Sequence, residues 1–317
     1  MFLYTSLLAS ILPMTLYLVM LWYMDKYERE PLSYVLLHFL WGALGAIFFG
    51  ALGNYLISSL VIILSKSTIS SSILSNIIAA PIAEEISKAL FLFYSFRSTK
   101  FDNFTDGLVY GGAIGLGFGM TENFIYFITF GTTIEILIIL ILLRSSFSAV
   151  MHCISTSIFG ASLGMIKFSS YSLKILYPVF GILLSILIHF MWNLSVSKSE
   201  TLLFGFLFMI LLIILFVSIF IYSLKREKEI IINELLEETK IDIIPESHIN
   251  IISSKSRFRK GWIDEQIRKK YFRTAINLAF NKVHYKNSKG TKKDFYEIEI
   301  EKNRAKLKEL LSNYKSG

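Results

Sequence analysis

The sequence predicts an all-α fold, a polytopic membrane helix bundle of about seven spans followed by a basic helical tail. Hydrophobic residues make up 54% of the 317 residues and the mean hydropathy is +0.56, which is too apolar for an ordinary soluble domain. Charge is also uneven. The first 224 residues carry 10 Lys+Arg and 10 Asp+Glu, whereas residues 225–317 carry 22 and 14, so the whole net charge of +8 belongs to the tail.

Seven segments are long and apolar enough to cross a bilayer, which takes about 20 residues. They are 3–23, 34–64, 72–96, 107–129, 134–166, 174–197 and 201–224. The second and fifth have room for an interfacial helix or a strong tilt, so the count could rise to eight or nine. The first has neither a basic n-region nor a small-x-small cleavage site, and we expect it to persist as a helix and not to be removed as a signal peptide.

The basic residues near the span ends favour one orientation. With the N-terminus outside, most of them face the cytoplasm, as the positive-inside rule requires: Lys26, Arg29, Arg97, Lys100, Lys167 and Lys174. We therefore predict a membrane-embedded domain at 1–224 and a cytoplasmic tail at 225–317. A basic tail that follows a hydrophobic block is attracted to anionic headgroups, so we expect the lipid bilayer as its partner and no nucleic acid.

Ionisable side chains inside the predicted spans are the main functional signal. Each costs roughly 2.5–3.5 kcal/mol on insertion scales and usually faces a polar interior. Glu84 and Glu85 lie mid-span, and helical spacing places Lys88 beside both. The next spans add further polar groups: Glu122, Asn123, Arg144, His152, His189 and Asn193. At ~1.5 Å rise per residue these groups can meet in a water-accessible pocket in the outer half of the membrane.

Carboxylates and imidazoles in such a pocket suit hydrolysis. A glutamate can act as a general base towards water. Alternatively, Glu and His side chains can hold Zn²⁺, which activates a bound water. The residues leave both chemistries open. The single cysteine, Cys153, excludes an internal disulfide and a Cys-based zinc site.

The motifs and their order resemble those of the PrsW-type intramembrane proteases, bacterial enzymes related to the CAAX prenyl protease and bacteriocin-processing group. The matching elements are Glu84-Glu85 with Lys88 for EExxK, Phe118 with Glu122-Asn123 for FxxxEN, His152 with Gly160 for HxxxxxxxG, and His189 with Asn193 for HxxxN. Residues 25–32 are similar to the family's acidic Tyr-Glu-x-Glu-Pro connection. The resemblance covers roughly residues 1–224 and does not involve the tail.

The resemblance implies an endopeptidase of the bacterial inner membrane. Family members cleave a single-span membrane-anchored regulator, typically an anti-sigma factor, on its extracytoplasmic side and so start a signalling cascade. The family is often called metalloprotease, whereas the related prenyl-protease group has also been described as metal-free, so Zn²⁺ stays an open expectation.

Roles follow from this resemblance. Glu84 or Glu85 activates water, and Glu84 is favoured because Glu85 can pair with Lys88. His152 and His189 would stabilise the oxyanion or ligate a metal ion, and Glu122 would be a second acid/base or ligand. Asn123 and Asn193 would orient their neighbours by hydrogen bonds. Arg144 would contact the substrate or mark the membrane interface.

Other functions compete with this one. An ion- or proton-coupled transporter also uses buried Glu and His, but no inverted repeat is evident. A CAAX-type peptidase would offer a histidine where this chain has Glu122-Asn123. A catalytically dead scaffold would not need the glutamates and histidines. The glycine stripe Gly107, Gly111, Gly115 and Gly119 indicates close helix packing.

Overall fold

The computed structural model describes residues 2–65, 75–98, 100–167 and 171–315. Within these ranges every regular element is helical. The α-helices are α1 Phe2–Met24, α2 Leu32–Leu40, α3 Ile47–Ser65, α4 Ala80–Ser95, α5 Phe104–Phe130, α6 Ile134–Leu143, α7 Ala149–Ile166, α8 Tyr171–Val196, α9 Leu202–Thr239, α10 Glu246–Ile252, α11 Glu265–Asn287 and α12 Thr291–Lys315. Three π-helical turns lie at Trp41–Ala46, Ser75–Ala79 and Arg144–Ser148, and 3₁₀ turns lie at Ser199–Thr201 and Lys255–Phe258.

Five helical segments are long and apolar enough to cross a membrane. They are Phe2–Met24, Leu32–Leu60, Ile134–Ile166, Leu173–Val196 and Ser199–Thr239. Each of the two long predicted segments is one continuous helical stretch with a π turn inside it, at 41–46 and at 144–148. Five of the seven predicted spans thus have a counterpart among these segments.

The other two predicted spans coincide with α4 and α5, which are less apolar. Helix α4 carries Glu84, Glu85 and Lys88, and α5 carries six glycines together with acidic residues. Residues 72–74 of the predicted third span lie outside the described residues. The total of about seven spans stays a prediction.

Helix α5 lies at the centre of the membrane bundle, with all residues from Thr105 to Gly119 buried. The predicted glycine stripe faces α7. A Cβ on Gly115 would overlap the carbonyl oxygen of His152, and one on Gly107 would overlap the carbonyl oxygen of Gly160. Only glycine allows the two backbones to approach this closely. The packing interpretation of the stripe is confirmed, and the close contact holds His152 against α5.

The N-terminus of α5 is fixed by a capping box. The Asn103 side chain accepts from the Asp106 amide at 2.9 Å, and the Asp106 carboxylate accepts from the Asn103 amide at 3.0 Å. One turn on, the Tyr110 hydroxyl donates to the carboxylate of Glu30 and contacts the carbonyl of Lys100 at 3.0 Å. These contacts join the acidic segment after α1 to the central helix.

The chain divides into two compact units, a membrane unit of Met1–Asp25 and Arg29–Phe220 and a tail unit of Lys26–Glu28 and Ile221–Gly317. The tail unit has its own apolar core, which includes Ile231, Leu235, Tyr271, Ala275, Leu278 and Leu307. It also buries ion pairs. Glu238 is fully buried between the Lys282 ammonium at 2.7 Å and the Arg304 guanidinium at 2.8 Å. The tail is therefore a folded helical unit.

Candidate active site

Four helices of the membrane unit and one π turn bring most of the predicted residues into one cluster. Helix α4 supplies two glutamates and the lysine, α5 the third glutamate and an asparagine, the π turn at 144–148 the arginine, and α7 and α8 one histidine each. The contacts described below connect all eight of these side chains: Glu84, Glu85, Lys88, Glu122, Asn123, Arg144, His152 and His189.

Glu85 lies at the buried end of the cluster, and both of its carboxylate oxygens have hydrogen-bond partners. Oε1 accepts from the Lys88 ammonium at 2.8 Å and contacts His189 Nδ1 at 3.0 Å. Oε2 accepts from the Ser155 hydroxyl at 3.2 Å. Three partners on a carboxylate that is only 1% exposed fix its position and leave little room for water. Glu85 is thus placed to orient its neighbours.

Lys88 links α4 to α7. Its ammonium is fully buried, contacts Nδ1 of His152 at 2.8 Å and lies 3.9 Å from the centre of the Phe118 ring. Because an ammonium can only donate, Nδ1 of His152 accepts, and a neutral imidazole then carries its proton on Nε2. That nitrogen points at Glu122, whose Oε2 lies 2.9 Å away.

Glu122 and Asn123 share one arginine. The Arg144 guanidinium donates to Glu122 Oε2 at 2.5 Å and to Asn123 Oδ1 at 3.1 Å, and it lies over the Tyr126 ring at 3.5 Å. Arg144 therefore belongs to the cluster, and it contacts the same oxygen of Glu122 as His152 does. Asn193 lies one helical turn beyond the α8 histidine and is partly buried.

Glu84 differs from the other carboxylates. Its side chain is 16% exposed, and its Oε2 atom is buried without a hydrogen-bond partner among the described residues. It lies 3.8 Å from His189 Nε2 and 4.0 Å from Lys88 Nζ, and both distances are beyond hydrogen-bond range. Unlike the carboxylate of Glu85, this oxygen has an acceptor position available for water or an ion.

The donor set fits a divalent metal ion of the zinc type. Ligating atoms of Glu84, His152 and His189 all lie within 4.8 Å of one another. His189 contacts Glu85 through Nδ1 and leaves Nε2 towards Glu84, the carboxylate–histidine arrangement that orients zinc ligands. His152 fits through Nε2, the nitrogen that otherwise contacts Glu122. Of the two further predicted ligands, Glu85 contacts the opposite nitrogen of His189, and Glu122 contacts Nε2 of His152 itself.

A model of the PrsW family, described as intramembrane metalloprotease, matches residues 30–222, well over half of the chain. The chain belongs to the PrsW family. The match includes every predicted site residue and ends before most of the tail unit.

Curated relatives are named Protease PrsW. The protein of Geobacillus kaustophilus is 30% identical over 146 residues, which cover 46% of this chain and 59% of the relative. That of Oceanobacillus iheyensis is 35% identical over 143 residues, covering 44% and 60%. That of Bacillus subtilis is 28% identical over 167 residues, covering 52% and 70%. The chain thus spans about 60% of the length of the first two relatives. No solved structure matches this PrsW-family chain.

Two residues of the site were missed by the sequence analysis. Ser155 holds Glu85, and Tyr126 supports Arg144. Ser155 lies three residues after His152 on α7, a spacing that places both on one helix face and could have identified it. Tyr126 lies one turn after Glu122, but aromatic residues are frequent in this chain and the spacing alone does not single it out.

Proposed function

We propose that the chain is an intramembrane endopeptidase that cleaves a single-span, membrane-anchored regulatory protein towards its extracytoplasmic side. The observation that carries the proposal is the Oε2 atom of Glu84, which is buried near two histidines and has no hydrogen-bond partner in the part of the chain that the structure describes. Membership of the PrsW family supports peptide-bond hydrolysis as the reaction.

Glu84 and His189 can hold a water molecule between them. The 3.8 Å between Glu84 Oε2 and His189 Nε2 is too long for a direct hydrogen bond. If His189 donates its Nδ1 proton to Glu85, Nε2 carries a lone pair. Both atoms then accept, so a water between them can donate one hydrogen to each and turn its own lone pair towards a substrate carbonyl.

Hydrolysis then proceeds as proton transfer and addition. Glu84 takes a proton from the water as the oxygen adds to the scissile carbonyl carbon, and it returns that proton to the leaving amine as the carbon–nitrogen bond breaks. The Nε2–H of His152 can donate to the developing oxyanion once it leaves Glu122. Lys88 keeps this tautomer in place through Nδ1.

A metal ion fits the same residues. Glu84, His152 and His189 would hold it, and bound Zn²⁺ would lower the pKa of a bound water to about 7 and so supply a nucleophile near neutral pH. We expect the purified wild-type chain to retain about one zinc per chain by elemental analysis, and the His189→Ala variant to lose it. A metal-free preparation that remains active would leave Glu84 as the base and remove zinc from the mechanism.

The membrane arrangement proposed with this function has about seven spans in a bacterial inner membrane, N-terminus outside and C-terminus in the cytoplasm. Helices α4 and α5 would cross the membrane although they are less apolar than the other spans, because surrounding helices shield their polar residues. An anti-sigma-factor-like regulator is the proposed substrate class, taken from the family resemblance.

The test is cleavage of a tagged candidate regulator in cells that express Glu84→Gln or the matched control Glu135→Gln. Glu135 is exposed at the start of α6 and belongs to no part of the cluster. General-base catalysis contributes about 10²–10⁴-fold, so Glu84→Gln should lose cleavage by that factor while the control keeps it. Full cleavage by well-expressed Glu84→Gln would refute the proposal and favour an ion- or proton-coupled transporter instead.

A further inference from the structure

We propose that the segment Ser253–Trp262 of the tail unit is a membrane-surface loop that binds anionic phospholipid headgroups and inserts Phe258 at the lipid interface. This inference does not depend on proteolysis. It rests on where the chain holds the segment, on its exposed side chains and on its charge.

The segment is bound to the short stretch that follows the first span. Arg257 donates to the carbonyl of Lys26 at 2.7 Å, and the hydroxyl of Tyr27 donates to the carbonyl of Ser253 at 3.1 Å. Lys26 follows the last residue of α1, Met24, by two positions, so at most ~7 Å of chain separates them. If α1 spans the bilayer, the segment is held at the membrane surface.

Arg257 makes this attachment rigid. Its side chain is buried, and besides Lys26 it donates to the carbonyls of Ile252 at 3.3 Å and Ser254 at 3.1 Å. The guanidinium also lies 4.8 Å from the centre of the Tyr27 ring. Arg257 therefore contributes no surface charge, but it fixes the backbone from which the neighbouring side chains project.

The residues around Arg257 suit a charged lipid surface. Phe258 is 59% exposed although it is a large apolar side chain. Lys255, Arg259 and Lys260 flank it and are exposed, and residues 253–263 contain no acidic side chain. Cations near an anionic leaflet contribute about 1 kcal/mol each, and an aromatic ring among them gains from burial at the headgroup boundary. Nucleic acid would also attract the cations, but the tether to α1 favours the membrane.

The test uses the full-length chain in nanodiscs of phosphatidylcholine alone or with about 30% phosphatidylglycerol, which gives the bilayer a strong negative surface charge. The readout is the rate of tryptic cleavage after Arg259 and Lys260, followed by mass spectrometry. Cleavage after Lys308, exposed on α12, is the internal reference for trypsin activity. We expect the anionic discs to slow cleavage in the loop by about tenfold or more in 0.1 M salt relative to the reference, and added salt to remove the difference.

Variants that retain both cleavage sites complete the test. Phe258→Ser should lose most of the protection, whereas Phe295→Ser should keep it, since Phe295 is 49% exposed on α12 and lies outside the loop. Equal cleavage in the two lipids would overturn the proposal. So would protection that persists in Phe258→Ser, or protection by an RNA oligonucleotide with none by anionic lipid.

Discussion

Neutralising Glu85 should destabilise the membrane unit strongly, because a buried cation loses its hydrogen-bonded counter-ion. Lys88 is fully buried, and Glu85 at 2.8 Å is its hydrogen-bonded counter-ion, with the Glu84 carboxylate at 4.0 Å. Removing one partner of a buried ion pair costs about 3–5 kcal/mol, because the other charge remains uncompensated. We therefore expect Glu85→Gln to lose about that much stability, and the double variant Glu85→Gln/Lys88→Met to recover part of it.

Cys153 provides the assay. It is the single cysteine, is buried and lies next to His152 on α7, so a thiol-reactive dye labels it only when this region opens. If opening and closing are faster than labelling, a loss of 3–5 kcal/mol accelerates labelling by roughly two to four orders of magnitude. Glu135→Gln is the matched control and should label at the wild-type rate. Wild-type labelling of Glu85→Gln, or a double variant that is no slower than the single one, would refute the reasoning.

Three further predictions follow from individual contacts. Gly115→Ala should push α7 away from α5, because the added Cβ would overlap the carbonyl oxygen of His152. The variant should cleave substrate at least ~10-fold more slowly, and its Cys153 should be labelled faster than in the wild type. Ser155→Ala removes one of the three partners of Glu85, and a hydrogen bond to a charged group is worth ~1.5–3 kcal/mol. Cleavage should therefore fall by roughly 10-fold to 100-fold. An unchanged rate would show that the other two partners suffice. Burial lowers the pKa of His248 in the tail unit, so the stability that its neutral form contributes is present above pH ~6.5 and is lost as the pH falls through the lower folded-state pKa. Tryptic digestion of the tail should therefore accelerate between about pH 7.5 and about pH 5, measured relative to an unstructured reference peptide that corrects for the pH dependence of trypsin itself, and His248→Gln should flatten that relative dependence.

The helical fold could be predicted because bilayer thickness and hydropathy determine where spans can occur. The same criterion is least informative for α4 and α5, where the polar side chains that form the site and the glycines that pack it lower the apolarity. The π turns at 41–46 and 144–148 had no readable signal, although the second one places Arg144 between Glu122 and Asn123. A one-residue change in helical register cannot be seen in hydropathy alone.

The charged side chains that meet in the candidate site could be selected from charge inside apolar segments, but their pairing could not. Helical spacing placed Lys88 beside both Glu84 and Glu85, and the structure gives the close contact to Glu85 alone, with a second contact to His152 on another helix. Contacts between helices depend on which faces meet, and here the glycine stripe of α5 sets that geometry. Ser155 was missed because serine is common and carries no charge that would mark it.

The central claim, that Glu84 activates water for peptide-bond hydrolysis, is tested most directly with purified protein. The chain is reconstituted in liposomes with a single-span candidate substrate as the sole other protein, and product formation is followed by mass spectrometry for the wild type, Glu84→Gln and Glu135→Gln. We expect cleavage by the wild type and by Glu135→Gln, and a loss of about 10²-fold or more in Glu84→Gln with unchanged substrate binding. Equal product formation by Glu84→Gln would contradict it.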